Sequence, residues 1–303
     1  MQTGVASVYP FKRPDGNIVG GDTMPAEDFD RRASVSRFVF REMPAIDGYL
    51  EPQDALIIVA LLEEQRRRGL GGSIVDIGVY CGRSYFLFRT AAGPDAKIVG
   101  IDFFDLDPEG RGGERYSTFL HNGRKLGLQV DEESIIAGDS TSLTASAILQ
   151  GGGQAAFVSI DGGHGLGQVG ADGELAKECL SEHGIVAFDD THNPLWPEVT
   201  VALADFIRGS GGTFCVVGFS RFKSYVCRTD YGGVYREVLL NSPYLTFMEK
   251  EEVEYLGSKP LFLRVPIGNR ILHAVFRYLR LWRLSEHAFS RFRRHRSRAG
   301  ARV

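Results

Sequence analysis

Six short apolar runs constrain what this chain can fold into. They are SIVDIGVY (73–80), AKIVGIDFF (96–104), ESIIAGD (133–139), AAFVSID (155–161), GIVAFDD (184–190) and TFCVVGF (213–219). Each is continuous and rich in Ile and Val, with no apolar–polar alternation, which is the pattern of parallel strands buried on both faces. Helical segments at 83–92, 114–126, 172–182 and 198–208 separate them. Such a β-α-β-α series makes an α/β protein with a Rossmann-like, doubly wound sheet. A further run, KSYVCRTD (223–230), follows the sixth after only a few residues. So short a link permits an antiparallel hairpin and excludes a parallel crossover. The expectation is a seven-stranded sheet with its last strand antiparallel.

Ahead of the sheet, EPQDALIIVALLEEQRRRG (51–69) reads as a helix, with Pro52 at a first helical position and Arg66–Arg68 before Gly69 at the end. Residues 1–50, with Pro10, Pro14, Pro25 and Pro44, read as a loose N-terminal arm carrying one short helix near 33–42. The catalytic body is expected over 51–230 and a helical C-terminal extension over 231–303. Cys81, Cys179, Cys215 and Cys227 form no C-x-x-C pair, so reduced thiols in a cytoplasmic protein are expected rather than disulfides or zinc. The N-terminus has no apolar signal-like region, and no apolar run is long enough to span a membrane.

Charge divides the chain unevenly. Residues 270–303 hold ten Arg and one acid, Glu286, giving +9, so an overall −3 leaves −12 for the rest. ILHAVFRYLRLWRL (271–284) places Ile271, Leu272, Val275, Phe276, Leu279 and Trp282 among arginines, a basic amphipathic helix pattern. Peripheral membrane contact through 270–303 or packing in a homo-oligomer are its expected uses. Nucleic acid is not an expected partner, because the basic residues are confined to this tail.

Ligands of open α/β sheets bind at the carboxyl ends of the strands. After the first strand, Gly78 and Gly82 flank a turn that runs into a helix. Glycines let the backbone approach a ligand, and the new helix offers unpaired N–H groups. The G-x-x-x-G spacing differs from the G-x-G-x-x-G of dinucleotide sites, which argues against a nicotinamide dehydrogenase. Asp102 ends the second strand, where a carboxylate can hold ribose hydroxyls. Asp139 and Ser140 follow the third, near an adenine edge.

Strand four ends in SIDGGH and strand five in FDDTHN, bringing Asp161, Asp189 and Asp190 to neighbouring tips with His164 just beyond. Converging carboxylates repel one another unless a cation joins them, and an all-oxygen donor set favours Mg²⁺ or a similar divalent ion. Such an ion would make a bound hydroxyl more acidic. His164 is the natural proton acceptor near neutrality, with His192 as a rival.

DIGVYCGRS (76–84) resembles motif I of the catechol and caffeoyl-CoA type O-methyltransferases, in which an acid precedes G-x-x-x-G-x-S. The resemblance implies S-adenosylmethionine (SAM) in this cleft. Asp76, Gly78, Gly82 and Ser84 would then lie by the methionine, Asp102 on the ribose, and Asp139 and Ser140 near the adenine. D-G-x-H, an Asp eight residues on (Asp172), and F-D-D resemble the metal-dependent sugar and macrocin-type O-methyltransferases, related to the cephalosporin-hydroxylase-like group. That implies Asp161, Asp189 and Asp190 as metal ligands and His164 as base. Catechol-type relatives usually carry Lys and Asn where His164 and Asp190 stand. The implied function is methylation of a hydroxyl on a sugar, glycoside or polyketide-like small molecule. The alternatives are a SAM- and metal-binding protein of other chemistry, hydroxylase-like, and a non-catalytic membrane-attached scaffold.

Overall fold

The computed structural model describes residues 26–93, 95–105, 113–151 and 153–278. The first 25 residues and the Arg-rich stretch from 279 onward lie outside these. The chain runs α1 (Ala26–Arg37), α2 (Pro52–Arg67), β1 (Ser73–Ile77), α3 (Arg83–Ala92), β2 (Ile98–Asp102), α4 (Glu114–Leu126), β3 (Ile135–Ala137), α5 (Ala145–Leu149), β4 (Ala155–Ile160), α6 (Leu166–Cys179) and β5 (Leu180–Phe188). It continues through α7 (Pro197–Gly209), β6 (Phe214–Phe219), β7 (Ser224–Arg228), α8 (Gly232–Asn241), β8 (Glu249–Glu252), β9 (Leu261–Arg264) and α9 (Ile267–Tyr278).

The sheet has nine strands in the order β3-β2-β1-β4-β5-β7-β6-β9-β8, not seven. From β3 to β5 neighbouring strands are parallel, and β7 is antiparallel to both β5 and β6. The seventh strand in the chain, β7, is thus antiparallel as expected, and it lies between β5 and β6. The two additional strands come from the C-terminal extension: β9 lies parallel to β6, and β8 antiparallel to β9. That extension is thus mixed α and β, not purely helical. Its strands are four residues each, and β8 is wholly charged (EKEE), so neither shows a strand pattern in sequence.

The apolar runs divide their side chains by the two-residue period of a strand. Ile74, Ile98, Phe157 and Ile185 face a cluster built with α2, α3 and α8. Val75, Val99, Val158 and Val186 face another, built with α6 and α7. Within the N-terminal arm, the described residues 26–50 are more regular than expected. Its helix covers 26–37 and widens into a π-helical turn (38–42), and Val35, Phe38 and Val39 are buried in the first cluster. Helix α6 starts at Leu166, earlier than expected, because Glu198 Oε2 accepts the Leu166 N–H at 2.8 Å and satisfies its open end.

The strand order reverses between β1 and β4, which opens a crevice at their carboxyl ends. The ladder continues one residue past each strand there. The amide of Gly78 donates to Ile101 O (2.8 Å), that of Asp161 to Ile77 O (2.8 Å), and that of Asp189 to Ile160 O (2.9 Å). These bonds set the glycine turn and the two aspartates in one row.

Candidate active site

A cavity of about 870 Å³ covers this row. At the glycine turn, Gly78, in the cavity wall, has φ +93°, and Gly82, outside that wall against Phe86 and Phe119, has φ +95°, backbone that favours glycine. A β-carbon on Gly78 would stand 1.9 Å from Asp161 O, so the glycine turn and the acidic loop touch backbone to backbone. Asp102 binds the turn together: Oδ2 accepts the Tyr80 N–H and Oδ1 the Phe104 N–H, both at 2.7 Å. Tyr80 takes a left-handed φ of +51°, strain of a kind that gathers at functional sites. Gly138, Asp139 and Ser140 line the same cavity, and Asp139 Oδ1 caps the following turn through Thr141 N–H (3.0 Å).

Asp76, like Gly82, is placed differently from the other residues expected around the cofactor. It is fully buried beneath the turn and is not part of the cavity wall. Its Oδ2 accepts the Ser84 hydroxyl at 2.7 Å, so it anchors the start of α3. Burial pushes its carboxyl up to about 7, against the Ser84 bond and the attraction of Lys223. Asp172 is also fully buried, on α6; burial raises its carboxyl and the Ser140 hydroxyl opposes this.

On the opposite side, His164 Nε2 lies 2.8 Å from Asp190 Oδ2. Asn193 Nδ2 donates to Asp190 Oδ1 at 2.7 Å. Burial alone would raise Asp190, but these bonds and the nearby positive charge of Lys223 outweigh it and hold the carboxyl below its usual range. An ionised Asp190 can only accept, so Nε2 carries the proton and Nδ1 keeps the lone pair. Trp196 stacks on the imidazole with centroids 4.5 Å apart and planes at 24°. His192 is turned away from the cavity wall, its ring against Phe219 and Tyr255 at 5.2 Å each, and burial lowers its basicity.

The three expected metal ligands are not grouped alike. Asp161, His164 and Asp190 bring ligand atoms within 4.8 Å of one another, a donor set compatible with a divalent cation. Asp189 is engaged by Lys223, whose Nζ lies 3.1 Å from Asp189 Oδ2 and 4.0 Å from Asp161 Oδ2. Burial and the adjacent Asp189 raise the Asp161 carboxyl well above its ordinary value, with Lys223 opposing.

Sequence reasoning missed Lys223, Trp196 and Arg83. Arg83 reaches back from α3 to donate to Ile46 O (3.0 Å) and Leu50 O (3.3 Å), fixing the 46–50 loop that walls the cavity. Trp196, one of two tryptophans, follows FDDTHN closely in the loop after β5, and that position was its available signal.

Residues 75–191 match a family described as a methyltransferase domain. Together with the fold, this match indicates a SAM-dependent methyltransferase. No curated protein sequence matches the chain. Among solved structures, the calicheamicin methyltransferase CalS11 is 17% identical, with 70% of this chain and 99% of that chain covered and a TM-score of 0.47. The O-methyltransferase NovP is 15% identical, with 67% and 99% covered and a TM-score of 0.47. TomG of Streptomyces achromogenes, an O-methyltransferase described as involved in tomaymycin synthesis, is 14% identical, with 65% and 89% covered and a TM-score of 0.41.

Proposed function

We propose that the chain transfers the methyl group of SAM to a hydroxyl of a sugar, glycoside or polyketide-like small molecule. The observation that carries this is one shared cavity, with the glycine turn on one wall and the His164–Asp190 pair on another. Gly78 and Ser84 cradle the methionine end, with Gly82 shaping the turn against Phe86 and Phe119, Asp102 takes the ribose hydroxyls, and Asp139 and Ser140 meet the adenine. Asp76 acts from beneath by holding Ser84.

His164 Nδ1 accepts the proton of the acceptor hydroxyl as its oxygen forms a bond to the sulfonium methyl and the carbon–sulfur bond breaks. Asp190 holds the ring in the tautomer this needs and stabilises the imidazolium that results. The cavity aligns donor and acceptor, which is a large share of such acceleration. A divalent cation would be held by Asp161, His164 and Asp190, and when bound it would itself acidify the hydroxyl by Lewis-acid polarisation, with His164 then a ligand rather than the base.

The acceptor side presents Tyr49 (91% exposed), Leu195 (76%) and Trp196 (43%). Exposed aromatic faces suit the flat or apolar faces of rings. Eight carboxylates and three basic side chains line the cavity, so an uncharged or amine-bearing acceptor fits better than a phosphorylated one. Calorimetry with SAM, then turnover on a panel of glycosylated acceptors, tests this reading. SAM binding and a new methyl ether are expected. Absence of SAM binding, or methyl found on nitrogen or carbon, would overturn it.

The extension supports an attachment role as well. On α9, Ile267 (77% exposed), Ile271 (61%) and Val275 (46%) are spaced by four residues and form one apolar stripe, which leads into the Arg-rich tail. Among the described residues no helix is long and apolar enough to cross a membrane. We propose surface contact with anionic lipid through this stripe and tail. Vesicle co-sedimentation of the full chain and of a chain ending at residue 266 tests it; equal binding by both would overturn it.

A further inference from the structure

Lys223 reaches the site by topology. Strand β7 pairs with β5 with Ser224 opposite Phe188, so the residue before β7 lies beside the residue after β5. Those residues are Lys223 and Asp189. The β6–β7 turn is fixed by two bonds: Ser220 N–H donates to Lys223 O (2.8 Å), and Lys223 N–H to Ser220 Oγ (3.1 Å).

The Lys223 side chain is only 3% exposed. An ammonium so enclosed is stable only among counter-charges. Here Asp189 is in contact, Asp161 stands at 4.0 Å, and the fully buried Asp54 of α2 acts from behind. A divalent ion on Asp189 would sit about 2.1 Å from its carboxylate oxygen, and so only a few ångströms from this ammonium. Like charges that close, in poorly screened surroundings, repel strongly.

We propose that Lys223 is the resident cation of this corner: it takes Asp189 as its counter-ion, withdraws it from divalent metal, and leaves Asp161, His164 and Asp190 as the donors that a metal ion meets. A divalent ion is then a weakly held guest of the site. The inference rests on the proposed function only in taking this cavity as the catalytic one.

The test uses Mn²⁺ alone as probe, titrated into the full chain and followed by paramagnetic resonance, with SAM calorimetry on the same samples. Asp161→Asn is expected to weaken Mn²⁺ by about tenfold or more, and Asp189→Asn to leave it within about twofold. Lys223→Met should tighten Mn²⁺ by about tenfold or more, and the double variant with Asp189→Asn should lose that gain. A lysine with a merely structural role would not tighten metal binding when removed. Equal weakening by Asp189→Asn and Asp161→Asn, or no tightening in Lys223→Met, would overturn the proposal, as would absence of Mn²⁺ binding in every variant. Should Lys223→Met fail to fold, the comparison of the two Asp→Asn variants decides. Loss of SAM binding by the unaltered chain would instead count against the methyltransferase reading.

Discussion

His164 and Asp190 form a hydrogen-bonded pair 2.8 Å apart, and Trp196 closes one face of the imidazole. Asp190 itself adopts a left-handed φ of +54°, so the loop after β5 is bent to present it. If the pair works as a base with its orienting carboxylate, Asp190→Asn should lower the rate of methyl transfer by about 10²- to 10⁴-fold. SAM affinity should stay near that of the unaltered protein. Single-turnover transfer and calorimetry separate the two effects, and a collapse of SAM binding would mark the pair as structural.

Gly78→Ala tests the contact between the glycine turn and the acidic loop. The added carbon meets Asp161 O at 1.9 Å, and the residue keeps a φ that alanine resists. Both walls of the cavity must shift, so SAM binding should fall below detection and stability by about 2–4 kcal/mol. Chemical denaturation and calorimetry measure these losses. Unchanged SAM affinity would show that the cofactor does not use this turn.

Removing the buried ammonium should cost more stability than removing a surface charge. Lys223→Met leaves Asp54, Asp161 and Asp189 without their shared partner. The expected loss at neutral pH is about 3–5 kcal/mol, the range for breaking a buried pair from one side. Combining it with Asp189→Asn should recover part of the loss in urea denaturation. No recovery would mean that the lysine matters for packing and not for charge.

Asp76 predicts a pH dependence. Its carboxyl is pushed up to about 7 in the folded protein, mainly by burial, whereas an unfolded Asp titrates near ~3.9. The folded state thus holds the proton more tightly, and this group disfavours folding increasingly as pH rises from about 4 to about 7. Asp76→Asn keeps an acceptor for the Ser84 hydroxyl and removes the ionisation. Its melting temperature relative to the unaltered protein should climb across that interval and level off above it. A difference that stays flat from pH 4 to 8 would rule out a buried, proton-binding Asp76.

The sheet from β1 to β7 was legible because strands buried on both faces leave unbroken Ile/Val runs, and the aspartates stood out because each ends such a run. Asp102, Asp161, Asp189 and Asp190 could therefore be placed at strand tips from sequence. Strands β8 and β9 left no such trace: each is only four residues long, and the acids of β8 are tolerated at the sheet edge because they are half-buried or exposed. The arm was read as loose around one short helix near 33–42 because of its prolines, whereas α1 begins at Ala26, and Val35 together with Phe38 and Val39 just past its end is held by tertiary packing. Lys223 was invisible for another reason. Its partner is set by which strands lie side by side, and local periodicity does not encode lateral neighbours.

The stretch that matches a methyltransferase domain stops at residue 191, whereas the ammonium that balances its acids is supplied by the later β6–β7 hairpin. The matched segment is therefore electrically incomplete by itself. Excised, it would keep a strongly anionic pocket; fitted with a different hairpin, it would keep its acids and acquire a new electrostatic character. The C-terminal third of the sheet thus sets part of the chamber's charge from outside the matched segment.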